Sequence, residues 1–474
     1  MNPNAPDLTN AMADFATRKH EYPPLARSRA VDAMTDCIGC MFAGSREALA
    51  EPLLKVLPTT DGISNLFQSL LIGTSRYGSP ADAALFNGAV AHALDYDDTN
   101  HPAYAHPSAV LVPALLSAAR ISKASGADLI DGYIAGFEIF GKLGRAMNTQ
   151  HYKRGWHATS SFGTLAAVVG VARILGLTQQ QTVMALGIAA SAASGLRANF
   201  GSMVKPLHAG YAARNGVLAA QLALEGFDAS ENVLDHSYGY LSVFNADIGF
   251  DETPLRALGE SLEILTQHGL ALKPYPACGA THPGIEAAVA LHQELNGEPI
   301  ESVHAGVCEM AFSPLIHVMP ATPLEGKFSL HYCVAAALLF GEVNLSTFTP
   351  ANVADPKVRA LIRRITMQTD DRWRDDPEFS TEITVVTQSG RRLSRHVPLA
   401  AGKPDRWFTA QQLRAKFNDC TAPLGSAFQD RIYSVLRNME QASNASELMA
   451  QLDVRDYAMQ SPPDPVNTFL ETRT

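Results

Sequence analysis

Leu129-Ile-Asp-Gly-Tyr-Ile-Ala-Gly-Phe-Glu-Ile-Phe-Gly-Lys-Leu-Gly-Arg-Ala-Met147 carries glycines at 132, 136, 141 and 144 inside one run of helical periodicity. Each glycine costs a helix roughly 1 kcal/mol against alanine. Four in one helix therefore point to neighbours packed so close that a side chain would not fit, rather than to a phosphate-binding turn, which needs a strand before it. The flanking segments read the same way: Ala81–Leu94, Ala109–Ala124, Ser161–Leu175 and Leu207–Leu224 are Ala- and Leu-rich and are broken by Gly, Pro and polar turns. Thr178-Gln-Gln-Gln181 has the form of a capping box and opens a further helix toward Ser194. The stretch from about 81 to 227 is expected to be all-α.

The pattern changes after about residue 268. Pro283–Leu295 and Phe328–Phe340 still read as helices, but Ile300–Phe312 alternates loosely and is β-branched, as a strand would be. Glu382–Thr387 and Arg391–Val397, joined through Gln-Ser-Gly390, predict a hairpin. From Thr409, a predicted N-cap, the sequence is helical again through Phe417, Phe428–Met439 and Ala445–Leu452. The fold class expected is mainly α: a large all-helical domain from residues 1–267 and 405–474, and a smaller α+β domain over 268–404. Ser461-Pro-Pro-Asp-Pro465 is read as an extended tail.

Composition narrows the function. The 474 residues are 46% hydrophobic and 18% charged, with a net charge of −10, so no basic field exists to gather nucleic acid or anionic lipid. An anion must be held locally, by a few placed lysines. No signal peptide is seen in the first thirty residues, and the apolar runs, such as Thr164–Val171, stop short of the roughly 18 residues of a spanning helix, so a cytoplasmic location, or an organelle lumen reached without a visible signal, is expected, with no membrane partner. The six cysteines are too scattered for a disulfide scaffold. Cys37-Ile-Gly-Cys40 has redox spacing, but its helical surroundings and the lack of a second pair favour buried core thiols.

His92-Ala-Leu-Asp-Tyr-Asp-Asp-Thr-Asn-His-Pro-Ala-Tyr-Ala-His-Pro-Ser108 crowds carboxylates, imidazoles and hydroxyls together without a structural motive. Asp95, Asp97, Asp98, His92, His101 and His106 have metal-ligand chemistry, but their spacing fits no His-Glu-x-x-His, EF-hand or zinc pattern, and no metal is expected. Proton transfer asks less of the same residues. His106 and Thr99 would lie near a helix start, where anions are favoured; the bland reading makes His106 a turn residue and Ser108 an N-cap. His157, in the basic loop Tyr152-Lys-Arg-Gly-Trp-His157, either meets substrate or caps the next helix. Lys205 and Lys273 each sit in a Pro-containing loop beside apolar neighbours, where an ammonium binds a carboxylate or, if desolvated, acts as a base. The bland alternative is a snorkelling surface lysine. His282 follows Lys273 at another polar helix start. No Gly-x-Ser-x-Gly elbow, Walker loop or dinucleotide fingerprint is present, so no cofactor is expected.

His92-Ala-Leu-Asp-Tyr-Asp-Asp-Thr99, His106-Pro-Ser108, Gly155-Trp-His-Ala-Thr159, Lys205-Pro-Leu-His-Ala-Gly210, Lys273-Pro-Tyr-Pro276 with Thr281-His282, and Phe328-Ser-Leu-His-Tyr332 together resemble the MmgE/PrpD family of 2-methylcitrate dehydratases, cis-aconitate decarboxylases and iminodisuccinate epimerases. The resemblance spans about residues 30 to 340. It implies a helical domain built from both chain ends, an α+β lid, a homodimer, and an active site in the cleft between domains, lined by Asp95, Thr99, His106, His157, Lys205 and Lys273. Two segments depart from it. Asn100-His-Pro-Ala-Tyr-Ala105 lacks the Trp-Gly of the dehydratases, and Pro314-Leu-Ile-His317 offers a histidine where the decarboxylases place a tyrosine. The expected function is a cofactor-independent lyase for a small di- or tricarboxylate, with His106, Lys205, Lys273 and Asp95 catalytic and Thr99, His157 and His282 binding substrate. An epimerase of the iminodisuccinate type and a non-catalytic carboxylate-binding protein are the alternatives.

Overall fold

Asp7, Ser79, Ser125 and Thr178 open four helices of the first half, each side chain accepting a free N–H of the first turn. The computed structural model describes residues 7–62 and 67–455; the expected tail at Ser461–Pro465 lies outside them. After α1 (Leu8–Thr17) and α2 (Pro24–Gly44), Ser79 accepts the Asp82 N–H and opens α3 (Pro80–Ala91). Next come α4 (Ser108–Ala119), α5 (Gly126–Met147) behind a Ser125–Asp128 capping box, α6 (Ala158–Leu175) ending on left-handed Gly176, α7 (Gln179–Ala192) behind the expected Thr178–Gln181 box, and α8 (Val204–Leu224).

All twelve residues of α4 are buried, and α5, α6 and α8 pack around it. The glycines of α5 make the close approach that they predict: a Cβ on Gly136 would stand 2.6 Å from Leu111 Cδ2 and 3.0 Å from the Ala166 carbonyl oxygen. Two expectations are corrected. The apolar run of α6 reaches 18 residues at a mean hydropathy of 1.5, long enough to cross a membrane, yet 89% of it is buried among its neighbours as a core helix. The first half is also not wholly helical. Thr60–Asp61, Arg76–Gly78 and Ser69–Leu70 form a small antiparallel ribbon, in strands too short to show a two-residue period.

The described residues fall into two units, one running to Leu270 and resuming at Leu413, the other Ala271–Gln412. The second contains α9 (His282–Leu295), β1 (Ile300–Val307), α10 (Leu330–Phe340), β2 (Ile365–Thr369), β3 (Thr381–Thr387) and β4 (Arg392–Val397). Its sheet has the order β2-β1-β3-β4, with β1 and β2 parallel and the rest antiparallel. Val303, Ala305 and Val307 of β1 face inward with Ile383 and Val385 of β3, sharing a core with Ile285 and Leu291 of α9 and Val334 of α10. The predicted strand ends at Val307 rather than Phe312, because Glu309–Phe312 coil into a 3₁₀ turn.

Helices α11 (Ala410–Thr421) and α12 (Ser426–Arg437) follow, the first opened by Thr409, whose Oγ1 accepts the Gln412 N–H. Lys416 pairs with Asp36 of α2 at 2.7 Å and donates to the Tyr96 carbonyl, while Phe428 stands edge-on to Phe42. Cys37 and Cys40 are buried on α2, and the Cys37 thiol donates to the Ser108 carbonyl at 3.3 Å.

Candidate active site

One crossing of two helices sets the site. Gly88 of α3 and Gly210 of α8 meet so closely that a Cβ on Gly210 would lie 2.2 Å from the Leu85 carbonyl oxygen. The C-terminal end of α3 is thereby held beside the first turns of α8. His92 caps α3, its N–H still bonded to Gly88, and the chain then folds back through Asp95 at φ 55°, a left-handed conformation that aspartate tolerates better than most residues. The turn sends three nearby carboxylates to three different partners.

Asp95 accepts from Lys205 Nζ at 2.9 Å. Asp97 is fully buried and receives His92 Nδ1 on both oxygens, at 3.0 and 2.9 Å, while His106 Nδ1 lies 3.2 Å from its Oδ2, angled off the ideal hydrogen-bond line. Asp98 takes the Ser108 N–H at 3.0 Å and its hydroxyl at 2.7 Å. Pro107, not Ser108, is the N-cap of α4, and the group that meets the N–H of that helix start is the protein's own Asp98 carboxyl. Thr99 sits half-buried in the two-residue strand Thr99–Asn100.

Electrostatics separates the groups. Burial alone would raise the Asp97 carboxyl, but His92 and His106 outweigh it and hold it well below the usual carboxylate range. Burial pushes His92 down to about 4 against the pull of Asp97, so at neutral pH its ring is uncharged. Asp98 is driven up to about 7 by burial, in spite of the Ser108 donors.

His106 is the junction of the cluster. Its side chain is 13% exposed, its Nε2 stands 3.9 Å from Asp95 Oδ1, and its backbone N–H donates to Thr159 Oγ1 at 3.2 Å. His157 is the N-cap residue of α6, but its side chain does not cap: Nδ1 meets Nδ1 of His208 at 3.0 Å. One of these two nitrogens must donate and the other accept, and burial lowers the pKa of both rings. The Lys205 expectation is corrected in one respect. Lys205 lies in the first turn of α8 and not in a loop, because Pro206, one residue further on, is tolerated where helix N–H groups have no partner.

Of the six residues weighed for a metal cage, His92, Asp97 and His106 come together, one donor atom of each lying within 4.8 Å of the others. That is a donor set a divalent ion accepts. The imidazole–aspartate contacts account for the same atoms without one, since both rings turn Nδ1 to the carboxylate. Asp95 and Asp98 serve Lys205 and Ser108, and His101 lies edge-on to Tyr104 and tilted against His268.

Lys273 and His282 belong to the second unit. Lys273 is buried there, and His282 starts α9 with Nε2 at 3.1 Å from the Ala277 carbonyl and its ring edge-on to Tyr275. His317 is half-buried in the same unit. The first unit thus brings Asp95, His106, Lys205 and His157 together and adds three groups not singled out as site residues: His92, Asp97 and His208. The signal for His208 was present, since Lys205 and His208 are three apart and share a helix face.

Two domain families match the chain: MmgE/PrpD N-terminal domain over residues 10–253 and MmgE/PrpD C-terminal domain over 275–441. Among curated relatives, the cis-aconitate decarboxylase-like protein oryM of Aspergillus oryzae is 28% identical, covering 94% of this chain and 97% of its own. The cis-aconitate decarboxylase of Mus musculus is 29% identical over 80% of each chain. The 2-methylcitrate dehydratase of Cupriavidus necator is 27% identical over 76% of each.

Proposed function

The chain belongs to the MmgE/PrpD family, and from that premise we propose that it is a cofactor-independent lyase that removes water or CO2 from a small di- or tricarboxylate, as the names of its relatives suggest. The observation that carries the proposal is the Lys205–Asp95–His106 constellation: a cation, its counter-charge and an imidazole held within one helical framework.

Loss of a proton or of CO2 beside a carboxylate leaves an electron pair that delocalises into that carboxylate. The transition state is stabilised by a cation already in place. Lys205 supplies that cation, and Asp95 holds its ammonium at 2.9 Å until a substrate carboxylate competes for it. In decarboxylation the C–C bond breaks, CO2 departs, and His106 delivers a proton to the carbon that keeps the electron pair. In dehydration a base takes the carbon proton, the double bond forms, and His106 protonates the hydroxide that leaves. Asp97, not Asp95, is the carboxylate nearer to the His106 ring, at its Nδ1. His157 and Thr99 are proposed to contact substrate. Lys273 and His282 enter this reading through their sequence motifs, with Lys273 as a second carboxylate-binding cation. The proposal also includes a cytoplasmic homodimer, to be tested by sedimentation and cell fractionation.

Incubating the protein in D2O with cis-aconitate, 2-methylcitrate, citrate and iminodisuccinate under NMR observation tests the reading. An alkene product or released CO2 is the expected result. Deuterium in a recovered diastereomer would make the protein an epimerase. Saturable binding without turnover of any of the four would make it a carboxylate-binding protein.

A further inference from the structure

We propose that Asp97, clamped by His92, is a positioning residue that fixes which nitrogen of His106 faces the reaction. The inference rests on the reading of His106 as the proton carrier, and it deepens that reading by naming what makes the imidazole work in one direction.

Two carboxylates flank the same ring at opposite nitrogens. Asp97 Oδ2 is 3.2 Å from Nδ1, and Asp95 Oδ1 is 3.9 Å from Nε2. A neutral imidazole carries one N–H, and either aspartate would attract it. Asp95 is the weaker claimant on two counts: it is further away, and Lys205 engages the same Oδ1 atom at 2.9 Å. Asp97 is fully buried, and among the described residues His106 Nδ1 has no other polar partner within reach. An ionised carboxylate only accepts, so Asp97 holds the resting proton at Nδ1, and the proton that His106 delivers is a second one, taken up and released at Nε2 on the Lys205 side. The contact is off-axis in this state, as catalytic hydrogen bonds often are before substrate tightens them.

His92 makes the carboxylate a rigid reference. Its Nδ1 bonds both Asp97 oxygens, and its ring packs 4.3 Å from that of His106, centroid to centroid. Asp97 therefore cannot swing away to accept from elsewhere. The loop supplies both groups, five residues apart, and the left-handed turn at Asp95 brings them back upon each other.

The test is solid-state 15N NMR of histidine-labelled protein, with the His106 signals assigned by their loss in His106→Gln. The expected spectrum shows neutral His106 protonated at Nδ1 with a bare Nε2, and Asp97→Asn redistributes the proton toward Nε2. In turnover, Asp97→Asn is expected to lower kcat by roughly 10²- to 10⁴-fold with KM within a few-fold, the pattern of a mis-set acid–base group. His92→Gln, which keeps a donor toward Asp97, should lose far less than His92→Leu. Native His106 protonated at Nε2 would overturn the inference without any folding question about variants, and so would a nitrogen shift characteristic of a bound metal. If His106→Ala proves fully active, the functional reading fails. If His106→Ala is inactive while Asp97→Asn keeps both tautomer and kcat, this inference fails alone.

Discussion

Gly88 lies against Gly210 at the crossing of α3 and α8, where a Cβ on Gly88 would come within 2.8 Å of the Gly210 Cα. His92 stands four residues beyond the first glycine, and His208 and Lys205 stand two and five before the second, so the crossing distance determines whether these groups meet. Gly210→Ala would thrust a methyl to 2.2 Å from the Leu85 carbonyl oxygen, a backbone atom that cannot rotate aside. We expect a loss of about 1–3 kcal/mol or more from overpacking, with turnover reduced in the fraction that folds. A native melting temperature with native kcat would show that the helices can part without disturbing the site.

His106→Ala removes the one imidazole that faces both Asp97 and the Asp95–Lys205 pair. Turnover of the accepted substrate should fall by roughly 10²- to 10⁴-fold. His92 still bonds Asp97 in the variant, so the fold should persist with a lowered melting temperature. Unchanged turnover in a folded variant would end the acid–base assignment.

The helices of the first half were readable because capping chemistry and small-residue periodicity are local. Thr178 with Gln181 marks a helix start within four residues, whereas the Ser125–Asp128 box, equally local, places the start of α5 three residues ahead of the Leu129 that periodicity gives. Strand β2 was not readable: Ile-Thr-Met-Gln-Thr369 is five residues long, and what makes it a strand is pairing with Val303–Val307, some sixty residues earlier. Sequence periodicity starts α8 at Leu207, three residues late, because Pro206 reads as a break, although prolines fit first turns. In the site, residue types and motif spacing pointed to Asp95, His106, His157 and Lys205, which converge. The His92–Asp97 bond and the His157–His208 pair depend on a reversed loop and a helix crossing, and no sequence spacing announces either.

Exhaustive chelation should leave activity unchanged, because Nδ1 of His92 and of His106 both address Asp97 and the proposed steps run on a lysine cation and an imidazole. Because His92, Asp97 and His106 also form a plausible donor set, the experiment has force. Activity abolished by chelator and restored by one divalent metal would reassign the three residues as its ligands.

Lys205→Met should weaken substrate binding and slow the chemical step together. The ammonium is held by a charge-assisted bond to a mostly buried aspartate, and such bonds contribute about 1.5–3 kcal/mol. The expected loss in kcat/KM is roughly tenfold to a hundredfold, larger for a dicarboxylate than for its monoester. Lys273→Met should raise KM alone if its ammonium serves only to bind a carboxylate. Native kcat and KM in Lys205→Met would remove that residue from the mechanism.

Asp98 gives the stability of the fold a pH dependence of definite sign. In the unfolded chain its carboxyl loses its proton near 3.8, whereas in the folded protein burial keeps it until about 7. Between these values the folded state binds more protons, so the contribution of Asp98 is fully present below 3.8 and is lost as the pH rises through 7. Asp98→Asn removes the ionisation while leaving an oxygen to accept the Ser108 N–H, and the Ser108 hydroxyl, 2.7 Å from the Tyr133 hydroxyl, can turn to accept from the new amide. The melting temperature of Asp98→Asn relative to the native protein should therefore increase from pH 5 to pH 8. A difference that stays flat across that range would mean that Asp98 ionises in the folded state at an ordinary carboxylate pKa, with the Ser108 donors outweighing its burial.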